Sequence, residues 1–404
     1  MAAAPHPTPG PLADLRVIEM GQLLAGPFCG QLLGDFGAEV IKLEAPGSGD
    51  PMRQWGREQS QGKSLWWPVV ARNKKSVTCD LRQEQGQRLA RELIARADIV
   101  IENFRPGTME RWGLDYDRLR ADNPGLIMVR VTGYGQTGPY APRAGYGSIG
   151  EAMGGIRYTT GDPDHPPART GISLGDSLAA VFATIGTLTA LHHRERTGQG
   201  QLVDSAIYEA VLAMMESLLP EYAVTGYQRE RTGSVLPNVA PSNVYPTAAG
   251  EMILIAANQD TVFARLAELM GRPELATDER YSTHTGRGAR MAELDDVIAA
   301  WTVTATADEL LERLHGAGVP AGRIYTARDM FADPHFAARE AIVRIAHPEF
   351  GELPMHNVVP KLSATPGTIR HCGPELGEHN ADVYGGVLEL SPDRIAALTD
   401  SGVI

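Results

Sequence analysis

Thr170-Gly-Ile-Ser-Leu-Gly-Asp-Ser177 puts a carboxylate at the junction of a Pro-rich loop, Asp162-Pro-Asp-His-Pro-Pro167, and a small-residue helix expected from about Leu178. At such a junction unpaired backbone N–H groups and the helix dipole favour the ionised form of an acid. Asp is a strongly preferred N-cap, so Asp176 reads as a cap. A charged carboxylate held in one place is also a nucleophile suited to covalent catalysis, so it reads as a catalytic group as well. The two readings are compatible.

Other groups offer less. Gly133-Tyr-Gly-Gln-Thr-Gly138 follows a strand and matches a dinucleotide fingerprint, but it runs into Pro139-Tyr-Ala-Pro142 where that fingerprint must open a helix. It describes instead a loop at the carboxyl end of a parallel strand, where open α/β sheets bind ligands. Asn103-Phe-Arg-Pro-Gly107 also follows a strand. Arg105 and Arg111 could meet a phosphate there, with Phe104 as a face for a flat ring, or they could be a solvated basic surface. Arg72-Asn-Lys-Lys75 with Arg82 is a second basic cluster. His192 and His193 sit late in a helix, where the dipole of the C-terminal end favours a cationic side chain, and His371, Cys372 and His379 lack a supporting acidic pair, so no metal site is expected. Glu19, Glu44 and Glu151 are candidate helper carboxylates.

The elements that must position these groups alternate between strand and helix. Leu15–Met20 and Ala38–Glu44 read as strands, joined by a turn at Gly21–Gly26 and a helix over Phe28–Phe36 with Pro27 at its first position. Asp98–Glu102 and Leu126–Val131 are further strands, and Gln83–Ala97 is an amphipathic helix. This pattern predicts an α/β domain with an open, mostly parallel sheet. A helix is expected over Ser205–Leu219, a loop or linker over Thr225–Ala248, and a strand at Met252–Ala257. Helices at Thr261–Met270, Met291–Thr302 and Ala307–Gly316, with a strand at Ala321–Thr326, make a separate α+β unit. After Pro334 the chain reads as extended and Pro-punctuated.

With 404 residues, 43% of them hydrophobic, two domains are the default. The net charge of −12 argues against nucleic acid as a partner. Cys29, Cys79 and Cys372 are widely spaced, as in a reducing compartment. Met1–Pro11 lacks the basic and apolar regions of a signal peptide, and no apolar run approaches the length of a membrane span. A soluble, cytoplasmic protein with no membrane partner is expected.

The chain resembles the family III CoA-transferases, which include formyl-CoA, carnitine-CoA and bile-acid CoA transferases; alpha-methylacyl-CoA racemases share the fold. The resemblance runs through Leu24-Ala-Gly-Pro27, Gly34–Glu44, Gly47-Ser-Gly-Asp50, Asn73-Lys-Lys-Ser76, Glu102–Gly107, Gly133–Pro139 and Gly175-Asp176. It continues through Thr197-Gly-Gln-Gly200, Asp278-Glu-Arg-Tyr281, Gly318–Gly322 and Leu376-Gly-Glu-His379. It implies a Rossmann-like large domain with a parallel sheet, built from residues 1–224 and 331–404, a smaller α+β domain over 225–330, and an interlocked homodimer. It implies CoA or acyl-CoA as substrate rather than a permanently bound cofactor. The family's CoA-contacting positions fall on Leu24, Ala25, Lys75, Cys79, Leu81, Arg82, Asn103, Phe104, Arg105, Arg111, Ala144, Gly145, Tyr146 and Gly147.

The family's catalytic aspartate falls on Asp176, with Gly175 beside it near the developing oxyanions. By that analogy Asp176 forms first a mixed anhydride with the donor acyl group and then an aspartyl-CoA thioester, which a carboxylic acid resolves. Gly147–Gly155 is similar to members that use succinyl-CoA with C4 or C5 dicarboxylic acids. Arg157, Arg169 or His165 could hold the distal carboxylate of such an acid. The chain departs from its relatives in lacking the glycine run of formyl-CoA transferases and in carrying Gly147 where many have Asp. A racemase would need a base where Tyr146 stands, and a phenol with a pKa near 10 is a poor one.

Overall fold

The computed structural model describes residues 10–404, which divide into two compact units. The first collects the chain up to Arg157, Thr170–Pro220 and Ala338–Ile404; the second holds Tyr158–Arg169 and Glu221–Ala337.

The first unit is built on six strands: β1 (Arg16–Glu19), β2 (Glu39–Glu44), β3 (Lys74–Thr78), β4 (Ile99–Glu102), β5 (Ile127–Thr132) and β6 (Leu202–Ala206). They pair in the order β3-β2-β1-β4-β5-β6, and every pairing is parallel. Their apolar runs are buried on both faces, as a parallel sheet covered by helices requires. Val17, Val40, Ile99, Ile101, Ile127 and Val129 face α1 (Ala25–Asp35) and α4 (Leu174–Thr197). Ile18, Ile41, Val100 and Met128 face α2 (Glu84–Ile94) and the C-terminal residues Val383, Tyr384 and Leu398. The strand order reverses between β1 and β4, and in such sheets the crevice beyond the carboxyl ends at that point is where ligands bind.

Three helices carry the site. α3 spans Gly147–Met153, α4 follows from Leu174, and α5 covers Ile207–Leu212. The long helix starts four residues before the expected Leu178, with Ser173 as N-cap. Asp176 is therefore not the cap: it lies at the third helical position, still within the first turn, where the dipole acts. The α4 helix is long and apolar enough, by length and composition, to cross a membrane, contrary to the expectation from apolar runs. Here Ala179, Ala180, Ala183 and Ala190 bury one face of it against the sheet.

Other elements also depart from the sequence reading. Leu202–Ala206, whose last two residues fall in the helix expected over Ser205–Leu219, is the edge strand β6, because pairing with Met128–Thr132 outweighs the poor strand propensity of Asp204 and Ser205. The helix expected over Ser205–Leu219 is consequently shortened to α5, with a second helix at Leu218–Thr225. The Pro-punctuated C-terminal stretch forms a hairpin, Ile342–His347 against Gly351–His356, and a helix at Pro392–Asp400. It is clipped to β3 by Asn380, which bonds Thr78 through both its amide oxygen and nitrogen, and by Tyr384 Oη, which donates to Thr78 O at 2.7 Å.

In the second unit Ser242–Pro246, expected as loop, pairs antiparallel with Met252–Ala256, which also pairs with Ala321–Arg323. Helices Asp260–Leu269, Met291–Thr302 and Ala307–Gly316 bury Phe263, Leu294, Ile298, Leu310 and Leu314 against that sheet. Tyr158–Arg169 joins this unit although it lies far upstream. Tyr158 Oη donates to Glu230 at 2.7 Å, and Gly233 N donates to Gly161 O at 3.0 Å. The unit starts again at Glu221 and ends at Ala337, rather than at the expected 225 and 330.

Burial lowers the pKa of His347 and His379 from the ordinary value near 6.5. Each ring also accepts backbone N–H bonds at Nδ1, His347 from Glu349 at 3.2 Å and His379 from Ser76 at 3.3 Å. Below about pH 6.5 the unfolded chain therefore binds protons that the folded chain refuses, so stability is complete above that pH and is lost as pH falls through it. Melting curves should show Tm falling as pH drops below about 6.5, with a shallower slope in His379→Gln. A Tm that stays level there contradicts the assignment.

Candidate active site

The turn after β1 is held by buried charge. Lys42 Nζ reaches Glu19 Oε1 at 2.9 Å, Asp50 Oδ2 at 2.8 Å and Gly21 O at 2.8 Å, while Lys74 Nζ reaches Glu19 Oε2 at 2.7 Å and Pro27 O at 2.6 Å. Burial by itself would lower the Lys42 pKa, but the carboxylates of Glu19 and Asp50 outweigh it and hold the ammonium charged. Two acids and two bases leave the cluster neutral overall. Asp50 also accepts from Leu23 N at 3.0 and 3.2 Å, which holds Leu23 in a left-handed conformation at φ 63°. That conformation is uncommon for a branched apolar residue and persists only where the surroundings enforce it. From the β4 side, Asn103 Oδ1 accepts from Gln22 N and Asn103 Nδ2 donates to Gln22 O, each at 2.8 Å.

The turn after β4 has its own anchor. Buried Glu102 accepts Phe104 N at 2.7 Å and pairs with Arg130 Nε at 2.5 Å, and Arg130 continues to Glu110 at 2.7 Å. Burial pushes the Glu102 carboxyl up to about 7, with Arg130 opposing it. Phe104 stacks edge-on against Trp112 at 5.1 Å.

Asp176 is brought to these turns by close helix contact. A β-carbon at Gly147 would stand 2.7 Å from Asp176 Cγ and 2.8 Å from Oδ1, so the carboxylate lies directly over the start of α3. A β-carbon at Gly175 would meet Gly147 O at 3.0 Å, and one at Gly154 would meet Val211 Cβ at 2.6 Å. One turn along α3, buried Glu151 accepts Gly175 N at 3.3 Å through Oε1 and pairs through Oε2 with Arg157 Nη2 at 2.8 Å.

These elements enclose a cavity of about 180 Å3 beyond the carboxyl ends of β1, β4 and β5. Leu24, Ala25, Asn103 and Phe104 line one side, and Gly145, Tyr146, Gly147 and Asp176 the other. Partial desolvation, with the Asp176 charge, raises the half-exposed Tyr146 phenol above its ordinary value. Gln22, Leu23, Trp55, Thr132 and Ile207 also line it and were not read from the sequence. A Lys and a Glu inside otherwise apolar strands were the available signal for the cluster behind Leu23; no signal marked Trp55. A larger cavity, about 390 Å3, opens at the other end of the sheet beside Glu39 and Lys75, away from Asp176.

Several expected positions lie outside the cleft. Lys75 sits near the amino end of β3, paired with Glu39 and Asp382. Cys79 is buried, its thiol turned to Gly86 O and pushed up to about 12 by burial, and Leu81 packs against the same core. Arg82 forks onto Asp80. Ala144 is exposed beside Gly145. Arg72 is locked to Asp35 at 2.6 Å, which removes it and Lys74 as phosphate ligands. Arg105 and Arg111 are exposed, and Arg111 lines a separate basic cleft with Arg88 and Arg118. Arg157 is committed to Glu151, while Arg169 and His165 belong to the second unit, where His165 pairs with Asp162.

A family profile described as CoA-transferase family III matches residues 12–380. A succinyl-CoA–D-citramalate CoA-transferase of Chloroflexus aurantiacus is 62% identical over 98% of this chain and 98% of its own length. The succinyl-CoA–L-malate CoA-transferase alpha subunit of the same organism is 43% identical over 100% of this chain and 96% of its own. Among solved structures, a CaiB/BaiF family protein of Brucella suis superposes with a TM-score of 0.83 at 38% identity, covering 94% of this chain and 100% of that one.

Removing Asp50 tests the charge cluster. Asp50→Ala leaves Lys42 with one carboxylate fewer and Leu23 N–H without its acceptor. Breaking a buried pair costs about 3–5 kcal/mol, so urea denaturation should report a loss near 3 kcal/mol. A loss under about 1 kcal/mol would mean that the cluster does not hold the turn.

Proposed function

This chain belongs to CoA-transferase family III, and we propose that it moves CoA from succinyl-CoA to a C4 or C5 dicarboxylic acid by way of Asp176. The observation that carries this reading is the Asp176 carboxylate, placed in the first turn of α4 and inside the cleft at the point where the strand order reverses. The donor and acceptor follow the relatives named for succinyl-CoA with citramalate and with malate.

In this mechanism the Asp176 carboxylate attacks the succinyl-CoA carbonyl. The C–S bond breaks, giving a succinyl–aspartyl anhydride and CoA thiolate. The thiolate attacks the aspartyl carbonyl and releases succinate, leaving an aspartyl-CoA thioester. The acceptor carboxylate displaces the thiolate to form a second anhydride, and the thiolate then attacks the acceptor's own carbonyl. Product acyl-CoA leaves and the Asp176 carboxylate is restored. Splitting one hard exchange into such steps is the general advantage of a covalent carrier.

CoA enters this scheme along Leu24, Ala25, Asn103, Phe104 and Gly145–Gly147, with the exposed Arg105 and Arg111 as phosphate partners. A racemase reading is disfavoured, since partial desolvation and the nearby Asp176 charge keep the Tyr146 phenol protonated and leave less phenolate to act as a base. The family's interlocked homodimer suits α4, whose Val181, Ile185 and Leu188 form an apolar stripe 40–52% exposed in the single chain. Sedimentation at micromolar concentration should show one dimeric species; reversible exchange with folded monomer would exclude an interlocked pair.

Purified chain given succinyl-CoA and a panel of dicarboxylates should form the corresponding dicarboxyl-CoA, read by mass spectrometry. Asp176→Asn keeps the side-chain shape and loses a charge worth about 0.3–1 kcal/mol at a helix start, so it should fold. Its turnover should drop by several orders of magnitude, because an amide is a very weak nucleophile. Hydroxylamine added to parent enzyme with succinyl-CoA should leave a hydroxamate on the Asp176 peptide. A folded Asp176→Asn with parental turnover would end this reading.

A further inference from the structure

The first backbone N–H groups of a helix have no partner within it and must be satisfied from outside. In α4 those groups belong to Leu174, Gly175 and Asp176, and the N-cap Ser173 makes no side-chain capping bond. The turn in need of an acceptor is thus the one that carries the carboxylate. An acceptor comes from another helix: Glu151 of α3 accepts Gly175 N at 3.3 Å through Oε1, while Arg157 Nη2 fixes its Oε2 at 2.8 Å. Glu151 is 1% exposed, and a glutamate is almost never buried to that degree unless it is paired. Gly175 admits it by having no side chain, since a β-carbon there would stand 3.1 Å from Glu151 Cγ. The Gly175 N–H is turned to Glu151, and Gly175 does not line the cleft.

We propose that Glu151 is a positioning residue for the nucleophile: it caps α4 from a neighbouring helix and so fixes the turn from which Asp176 reaches the cleft. Arg157 acts behind it, holding one carboxylate oxygen so that the other faces Gly175 N. Helix ends fray where their outer groups lack partners, and loss of this acceptor frees the first turn of α4. A displacement near 1 Å of a reacting group can cost about 100-fold in rate. Glu151 is not among the residues that line the cleft, so its removal acts on the chemical step and leaves donor binding to the cleft walls. This proposal rests on Asp176 being the nucleophile, as proposed above.

The test compares Glu151→Leu, which removes both acceptor oxygens, with Glu151→Gln, which keeps one carbonyl oxygen for Gly175 N. Both are made in the full chain, and formation of the Asp176 adduct from succinyl-CoA is followed by trapping with hydroxylamine. Glu151→Leu should slow the saturating rate roughly 100-fold and leave the half-saturating donor concentration near parental. Glu151→Gln should recover most of that loss. Should Glu151→Leu not fold, adding Arg157→Met replaces the whole ion pair by apolar side chains, a change often neutral for stability, and the same slowing is expected. Parental adduct formation in either folded variant lacking the Glu151 oxygens overturns the proposal and leaves Asp176 as nucleophile. Glu151→Gln as slow as Glu151→Leu overturns the capping role, and a higher half-saturating concentration at parental maximal rate makes Glu151 a donor-binding group instead. A double variant that also fails to fold assigns the pair to stability and overturns the proposal too. Absence of any adduct in the parent overturns the nucleophile reading itself.

Discussion

Three helices in this protein approach one another more closely than side chains allow, and the placement of Asp176 depends on that approach. Gly147, Gly150 and Gly154 run along α3 and its end, and Gly175 sits in the facing turn of α4. Glycine weakens a helix by nearly 1 kcal/mol relative to alanine, and α3 has only seven residues, so it would not form alone. Packing against Ile207 and Val211 of α5 supplies what its own propensity lacks. In return the start of α3 comes against the first turn of α4 and places Asp176 over the cleft.

The opposite wall is made by electrostatics. Glu19, Lys42, Asp50 and Lys74 are almost wholly buried, and their charges cancel within the cluster. Such a cluster adds less to stability than an apolar core of the same size, because desolvation offsets much of the attraction. Its value lies in direction: it points fixed acceptors at Leu23 and holds the turn after β1 in a left-handed conformation. Glu102 does the same for the turn after β4 through Phe104 N. One wall of the cleft is thus shaped by steric room and the other by buried hydrogen-bond acceptors.

Much of this was legible in the chain. Alternating apolar runs specified the parallel strands, and a Gly-Asp-Ser before a small-residue helix marked Asp176 as the residue to examine. A cleft beyond the strand ends was to be expected from Asn103-Phe104 and Gly133–Gly138 each coming directly after a strand. The misread elements share a cause. Leu202–Ala206 became a strand through pairing, and helix α4 began early because Gly175 could lie against Gly147 O, so both were decided by distant partners. Lys75, Cys79 and Arg82 have suitable chemistry but are turned toward Glu39, Gly86 and Asp80.

By itself the sequence determined the α/β class, the parallel core strands and the carboxylate proposed as nucleophile, because these depend on residue type and on periods of two to four residues. Only the tertiary structure decided which cations remain available, which glycines serve turns and which serve contact, and why Asp176 can occupy its place. Those are properties of pairs far apart in the chain, such as Gly147 with Asp176 and Asp50 with Leu23. Short-range pattern carries no record of such pairs until the sheet has brought their elements together.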